Sequence, residues 1–324
     1  MPPFPMRKIV YALLLVLAVF FIFTNLSRVE AVVETFQRGR SRWLLLGALL
    51  ELVWIVNMAA FYRAVYRMVA TEAPLQRLMF VVAAAKFTEV LASSLASIAV
   101  FIDDARRHGL RTGRVALAAL LTVWVEYMAY IAVIAVGFAV LIRRNTLSFA
   151  EITTGAILVG IATVFGGLIL LGVSSTDQLE RVLIWLVQHV NRLVSVFKRD
   201  YLSQQLAHQF AADTAEAFAT LRRSPALLWL PFALALSARA LHLSIFFLMF
   251  LAFGQAYSPG TLVAGYSIAS LFTIVSITPG GLAIVEGIMV VTLRSLRVPL
   301  ASATVITLAY RGLTFWLPFG LGFI

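Results

Sequence analysis

TPGGLAIVEG, residues 278–287, puts a helix breaker, two adjacent glycines and a carboxylate inside an otherwise apolar run. Pro279 removes a backbone donor, and Gly280 and Gly281 release the chain from helical geometry, so the stretch predicts a broken helix. Soluble cores rarely tolerate such a break beside a charge. In a bilayer, backbone freed by Pro-Gly-Gly is satisfied by neighbouring protein or by a water-lined cavity, and broken helices there line substrate paths. Glu286 and Gly287 stand just beyond the break.

The remainder of the chain agrees with a bilayer setting. Of its 324 residues 61% are hydrophobic and only 13% charged, and the mean hydropathy of +0.95 lies far above the soluble range. Apolar runs approaching a span of roughly 20 residues cover 9–26, 43–65, 78–102, 115–142, 152–172 and 226–253, followed by a long region from 261 that divides into two or three segments. The expectation is an all-α polytopic integral membrane protein forming a single membrane domain, 1–324, with about eight hydrophobic segments. The run at 9–26 follows Arg7 and Lys8 as a signal peptide would, but TNLSRVE after it offers no small-x-small cleavage site, so it reads as a retained span.

Several function classes are excluded. The absence of cysteine removes disulfides, thiolate metal sites and thiol nucleophiles. His108, His189, His208 and His242 lack ligand spacing, so no metal and no other cofactor is expected. No GxxxxGK[ST] motif is present to hydrolyse ATP. The formal charge of +11 lies in short loops between apolar runs, where it reads as a topology signal and an anionic-lipid contact rather than a nucleic-acid surface.

Sliding the chain on itself by 185 residues lays Phe87-Thr88 over Phe272-Thr273, Ser93-Ser94 over Thr278-Pro279 and Val100 over Val285. Each copy runs into a basic turn and a long apolar helix. This predicts two re-entrant hairpins related as an inverted repeat, with repeat 1 over 78–142 and repeat 2 over 262–322. If both hairpins enter and leave by one face, the N-terminal side carries Arg7, Lys8, Arg63, Arg67, Arg77 and the basic residues of 106–114 and 181–223. The other side carries Arg28, Arg38, Arg40, Arg42, Arg143, Arg144, Arg294 and Arg297. That bias makes the N-terminal side cytoplasmic; the expected host is a cell inner, cytoplasmic membrane. Within 178–222, QLERVLIWLVQHVNRLVSVFKR reads as an interfacial amphipathic helix, docked on headgroups or packed on the bundle.

Seven ionisable residues fall inside apolar runs: Glu51, Lys86, Glu89, Glu126, Arg239, Glu286 and Arg311. Each costs on the order of 3 kcal/mol on the lenient insertion scale, so the set must be paired, hydrated or both. Lys86 and Glu89 sit at pairing distance on one helix face, with Ser93 and Ser97 on the same stripe. Arg239 and His242 share a face turned into the bundle. Arg311 suits a phosphate, bound bidentately, or a buried bridge to Glu286 or Glu126. Glu286 is a candidate proton carrier or structural partner. Trp43, Trp54, Trp124, Tyr127 and Tyr130 read as interfacial belts and packing.

The order of TPGGLAIVEG, a basic turn before Val298-Pro299, and AYRGLTFWLPF resembles the membrane domain of the lysylphosphatidylglycerol synthase/flippase family, known also through the multiple peptide resistance factor. The likeness is strongest over the last fifth of the chain, and the layout agrees along nearly all of it. The resemblance implies transbilayer movement of a phospholipid, lysylphosphatidylglycerol being the best-known cargo, with Pro279, Gly280, Gly281, Glu286 and Arg311 as the functional set. The chain departs from the family at its first hairpin, where LASSLAS, residues 91–97, stands in place of a Pro-Gly turn. No aminoacyl-transferase domain is read after Ile324, so lysyl transfer from tRNA is not expected. The expected partners are membrane phospholipids, anionic or lysylated; whether the chain self-associates is not legible. Two rivals use the same residues: an ion-coupled transporter of a small solute, and a lipid-modifying enzyme whose one acidic cluster would be Asp103-Asp104 beside Arg106, Arg107 and His108.

Overall fold

The structure, a computed structural model, describes residues 26–69, 72–91, 100–101, 103–104, 107–108, 112–145, 149–174, 225–276 and 278–323. All but Leu26 of the expected first span, the turn of the first expected hairpin at 92–99, and the amphipathic stretch at 178–222 lie outside the described residues. Among those described, the chain is helices and turns without a strand.

Helix α1 is Leu26–Arg38, α2 Ser41–Met68, α3 Leu75–Leu91, α4 Thr112–Arg143 and α5 Phe149–Ser174. A single 3-10 turn, Pro225–Leu228, leads into α6, Trp229–Ala252. The final region forms three segments. They are α7, Pro259–Val275; α8, Ile284–Ser295; and a last run in which α9, Leu300–Arg311, passes through a π-helical turn, Gly312–Trp316, into α10, Leu317–Phe323. Helix α7 begins where the local chemistry asks: the Ser258 side chain accepts from Thr261 N, and Pro259 occupies the first turn.

Among the described residues four stretches are long and apolar enough to cross a membrane: Ser41–Met68, Leu121–Arg143, Ala226–Ala252 and Leu300–Gly322. Their outer faces are apolar. Leu45 on α2, Val136 on α4 and Leu230 on α6 are each more than half exposed, which hydrocarbon tolerates and water does not.

Polar clamps and small residues bring the helices together. Asn57 on α2 donates to the Leu234 carbonyl on α6 at 2.9 Å and accepts from Ser237 at 2.8 Å. Ser267 on α7 donates to the Val133 carbonyl on α4 at 3.0 Å, and a Cβ on Gly137 would sit 2.3 Å from the Ser267 side chain. Gly322 on α10 lies so close to α3 that a Cβ there would stand 2.3 Å from the Ala83 carbonyl oxygen. Close approach of this kind is how helices associate where lipid offers no hydrophobic contrast.

Contacts between helix ends establish the direction of each element. Arg40 N donates to the Ala252 carbonyl at 3.0 Å, joining the start of α2 to the end of α6. Arg144 donates to Ser258 at 2.9 Å and to Thr261 at 3.2 Å, joining the end of α4 to the start of α7. Helix α8 runs back along α7, because Leu293 lies 3.1 Å from the Cβ position of Gly265. One end of the bundle therefore gathers Arg38, Arg40, Arg42, Arg143, Arg144, Arg294 and Arg297. Arg63, Arg67 and Arg77 lie toward the other.

At that other end Arg77 grips Asp104, with Nη2 to Oδ2 at 2.6 Å and Nε to Oδ1 at 3.0 Å. The chain that enters the bundle as α3 is thus back at the same end by Asp104. Two excursions, 75–104 and 259–295, begin and finish at opposite ends of the molecule. Helices α3 and α7 are each 17 residues and α8 is 12. At about 1.5 Å per residue all fall short of a hydrocarbon core of about 30 Å. Their inner ends meet where Phe87 and Val90 of α3 pack with Leu282 beside the break, and with Phe315 and Phe319.

Candidate functional site

The break is built as its residues require. Helix α7 ends at Val275, and Pro279–Gly281 forms one 3-10 turn with positive φ at Gly280 (58°) and Gly281 (72°). Ala283 also has positive φ, 70°, immediately before α8 begins. Freed backbone groups find local partners. Gly281 N donates to the Thr278 carbonyl at 2.9 Å, and Thr278 Oγ1 donates to the Leu282 carbonyl at 3.1 Å. Gly280 is doubly constrained, since a Cβ there would lie 2.3 Å from Phe315.

Arg311 closes the break from the opposite strand of the polypeptide. Its Nε donates to Glu286 Oε1 at 2.7 Å and its Nη2 to the Gly280 carbonyl at 2.8 Å, while the guanidinium lies 4.4 Å from the Phe315 ring centroid. One side chain therefore ties the last long helix to the 3-10 turn and to the first turn of α8. The π-helical turn begins at the next residue, Gly312, whose missing side chain leaves room for Phe36 and Val32 of α1. Of the two bridges expected for Arg311, the one to Glu286 is formed.

The inner ends of the helices enclose a cavity of about 330 Å³. Lys86 and Glu89 reach it from α3, Glu126 from α4, Arg239 and His242 from α6, and Arg311 with Gly280 from the C-terminal region. Lys86 Nζ holds Glu89 Oε2 at 2.8 Å and lies 5.3 Å from the Trp54 ring centroid. Arg239 is only 3% exposed, with its guanidinium 4.0 Å from the centroid of Tyr130. The Arg239 Nε has no hydrogen-bond partner, and among the described residues neither Arg239 nor Glu126 forms an ion pair. Glu51 is fully buried one layer out, with Oε2 at 3.3 Å from His242 Nε2.

Six candidate residues found by hydropathy and by the break thus share one cavity: Lys86, Glu89, Glu126, Arg239, Arg311 and Gly280. Glu286 joins through Arg311, and Glu51 through His242. Gly287 does not belong with them. It lies within regular helix α8 and is exposed, and a Cβ there would meet nothing within 4 Å, because one helical step past Glu286 turns the backbone outward. Of the two readings given to the aromatics, belt or packing, packing holds for Trp54, Tyr127 and Tyr130, which pack in the core and line the cavity, with Trp54 stacked on His242 at 4.8 Å. Tyr62, Tyr266 and Tyr310 line it too. Hydropathy does not separate an aromatic turned inward from one at an interface; the i, i+4 spacing of Tyr62 from Met58 and Trp54 was the available signal.

The acidic pair at 103–104 is accounted for by its own neighbours. Asp104 binds Arg77 and its carbonyl contacts His108 Nδ1 at 2.7 Å, while Asp103 pairs with Arg107. No group of three or more metal-ligating side chains occurs among the described residues.

An apolar exterior, membrane-length helices and a buried charged cavity beside a broken helix define a multi-pass helical membrane protein. The sequence matches the family described as the lysylphosphatidylglycerol synthase TM region over residues 9–322, and the chain belongs to that family. No curated protein matches it.

Proposed function

We propose that this chain is a phospholipid translocase of a cytoplasmic membrane, in which a lipid headgroup crosses through the charged cavity while its acyl chains stay in the bilayer. The observation that carries the reading is the cavity itself. It holds a guanidinium, Arg239, and a carboxylate, Glu126, without ion-pair partners, within a bundle whose outer faces are apolar. Their mutual field and the Tyr130 face offset only part of a cost of several kcal/mol, and a ligand carrying the opposite charges offsets more. Arg239 and Lys86 suit a phosphate, and Glu126 suits a cationic headgroup such as a lysyl ester or an amine.

The two excursions act in this reading as re-entrant hairpins of an inverted repeat. Equal 17-residue arms beginning 184 positions apart, at Leu75 and Pro259, support it, as do their opposite entries and their meeting at Val90 and Leu282. Arg311 serves as the latch. Its bonds to Glu286 and Gly280 hold the second hairpin against α9, and competition by an incoming phosphate for the guanidinium would release them. Chemistry on the lipid is not part of the mechanism. The end with Arg63, Arg67 and Arg77 is assigned to the cytoplasm from the charge bias of the sequence, which counts the basic residues of 106–114 and 181–223 with it.

The test is leaflet-resolved lipid movement in proteoliposomes, with anionic, zwitterionic and lysylated lipids. Wild-type protein should move lipid, and Glu286→Gln and Arg311→Ala should each slow it tenfold or more. Absence of movement for every lipid would overturn the translocase; solute flux indifferent to lipid composition would replace it with a solute transporter.

A further inference from the structure

The arginines at the end of the bundle where α2 begins serve neither the cavity nor the latch. Arg40 stands in the α1–α2 turn, Arg143 and Arg144 close α4, and Arg294 and Arg297 close α8 and the turn after it. All five are exposed. Among the described residues only Arg38, at the same end, pairs with a carboxylate, Glu34 at 3.6 Å, and Glu151 in the first turn of α5 is buried. The surface is therefore strongly positive. Part of it is held in place. The hydroxyls of Ser258 and Thr261 accept from Arg144 at 2.9 and 3.2 Å, and the Arg42 guanidinium lies 4.9 Å from the Trp43 ring centroid. Arg297 has a φ of 68°, a backbone position that favours glycine or asparagine, yet it carries a guanidinium. Trp43 beside Arg42 and Tyr257 beside Ser258 are both partly exposed, and aromatic residues of these two types sit at headgroup depth.

We propose that this end is a docking surface for anionic phospholipids, whose phosphates it gathers from the leaflet in contact with it. Charge selects the occupant. Each guanidinium offers a planar fork of donors that matches phosphate oxygens, and no lysine occurs in these segments. Depth favours lipid over a soluble acidic partner, because apolar helix faces and the two aromatic residues carry the arginines to the headgroup layer. Topology does not account for them, since the charge bias of the sequence assigns the cytoplasm to the opposite end, where basic residues act as the retention signal. The excursion 259–295 starts beside Arg144 and finishes at Arg294 and Arg297, so a lipid gathered here stands at its mouth. One consequence rests on the translocase reading: anionic cargo loads from this leaflet. The docking surface itself does not depend on it.

The test places a fluorophore on Ser41→Cys, an exposed position between Arg40 and Arg42, in the otherwise cysteine-free full chain. The protein is reconstituted in phosphatidylcholine vesicles containing a minority of phosphatidylglycerol, one lipid or the other carrying a nitroxide high on its acyl chain. Quenching by labelled phosphatidylglycerol should exceed quenching by labelled phosphatidylcholine several-fold at equal mole fraction. The excess should vanish at roughly 1 M salt, where the screening length falls to about 3 Å. Arg40→Gln, Arg143→Gln, Arg294→Gln and Arg297→Gln together should bring the ratio close to one, while a fluorophore on Gln76→Cys, exposed at the opposite end, keeps its own ratio. Equal quenching by the two lipids with all arginines present, or an excess that survives their neutralisation, overturns the docking surface; the first result would assign the arginines to a soluble acidic partner. If the fourfold variant does not fold, the salt series decides, and an excess that persists in salt overturns the proposal. The readout is lipid distribution rather than lipid movement, so failure of the translocase and failure of the docking surface are told apart.

Discussion

Arg311 commands three bonds of different kinds at once: an ion pair with Glu286, a hydrogen bond to the Gly280 carbonyl and a cation–π contact with Phe315. Removing one partner of such a pair is asymmetric. Arg311→Ala strands Glu286 and unties the 3-10 turn, and should cost about 3 kcal/mol in thermal or denaturant unfolding in detergent. Glu286→Gln keeps an acceptor for Nε and should cost about 1 kcal/mol while still impairing transport; equal destabilisation by both would sink the latch. Gly280 is tested separately. Its φ of 58° costs an L-residue about 1–2 kcal/mol, and the Cβ would run into Phe315 at 2.3 Å. Gly280→Ala should therefore destabilise, with partial recovery when Phe315→Leu is added.

Helix α8 and helix α10 show how one residue type carries different meanings at the scale of an element. Gly287 interrupts α8 with open space around it, so Gly287→Ala should be neutral or stabilising by up to about 1 kcal/mol, the gain in helix propensity. Gly322 lies against the Ala83 carbonyl, where backbone cannot give way. Gly322→Leu should push α10 from α3 and lower the unfolding temperature by several degrees. A reversed order of the two variants would mean that α3 is not held by this contact. The short lengths of α7 and α8 follow from the break between them at 276–283, as residues within each helix are strong helix or bilayer formers.

At the scale of the whole molecule, Val90 near the end of α3 packs with Leu282 beside the break, and in the proposed reading these belong to two hairpins entering from opposite ends. The chain has no cysteine, so introduced pairs report without background. A Val90→Cys, Leu282→Cys double variant should oxidise readily and, on the proposed translocase mechanism, lose lipid movement until reduced, because there the two segments part as a headgroup passes. Movement unaffected by the cross-link would show that the tips are static packing. Sidedness is open to the same chemistry. Arg144→Cys and Arg297→Cys should label from one side of an intact membrane and Arg67→Cys from the other; any other pattern would contradict the bundle's end assignments.

The all-α membrane class, the break at 278–281 and the charges set inside apolar runs, of which Glu51, Arg239 and Arg311 are buried, were legible in the sequence, because hydropathy, proline and glycine act locally. Partner choice did not follow. Arg311 had two plausible carboxylates, and the rotation of α8 and α9 about their axes selected Glu286, 25 positions away. Glu51 meeting His242, Trp54 and Tyr130 turning inward, and Gly287 turning outward were decided in the same way, by how distant helices pack. The π-helical turn after Arg311 also belongs to the tertiary structure, because Gly312 is drawn against Val32 and Phe36 of α1. Sequence determines that charges must be buried in this chain; only the packed bundle determines which of them remain uncommitted, and there the cavity's chemistry resides.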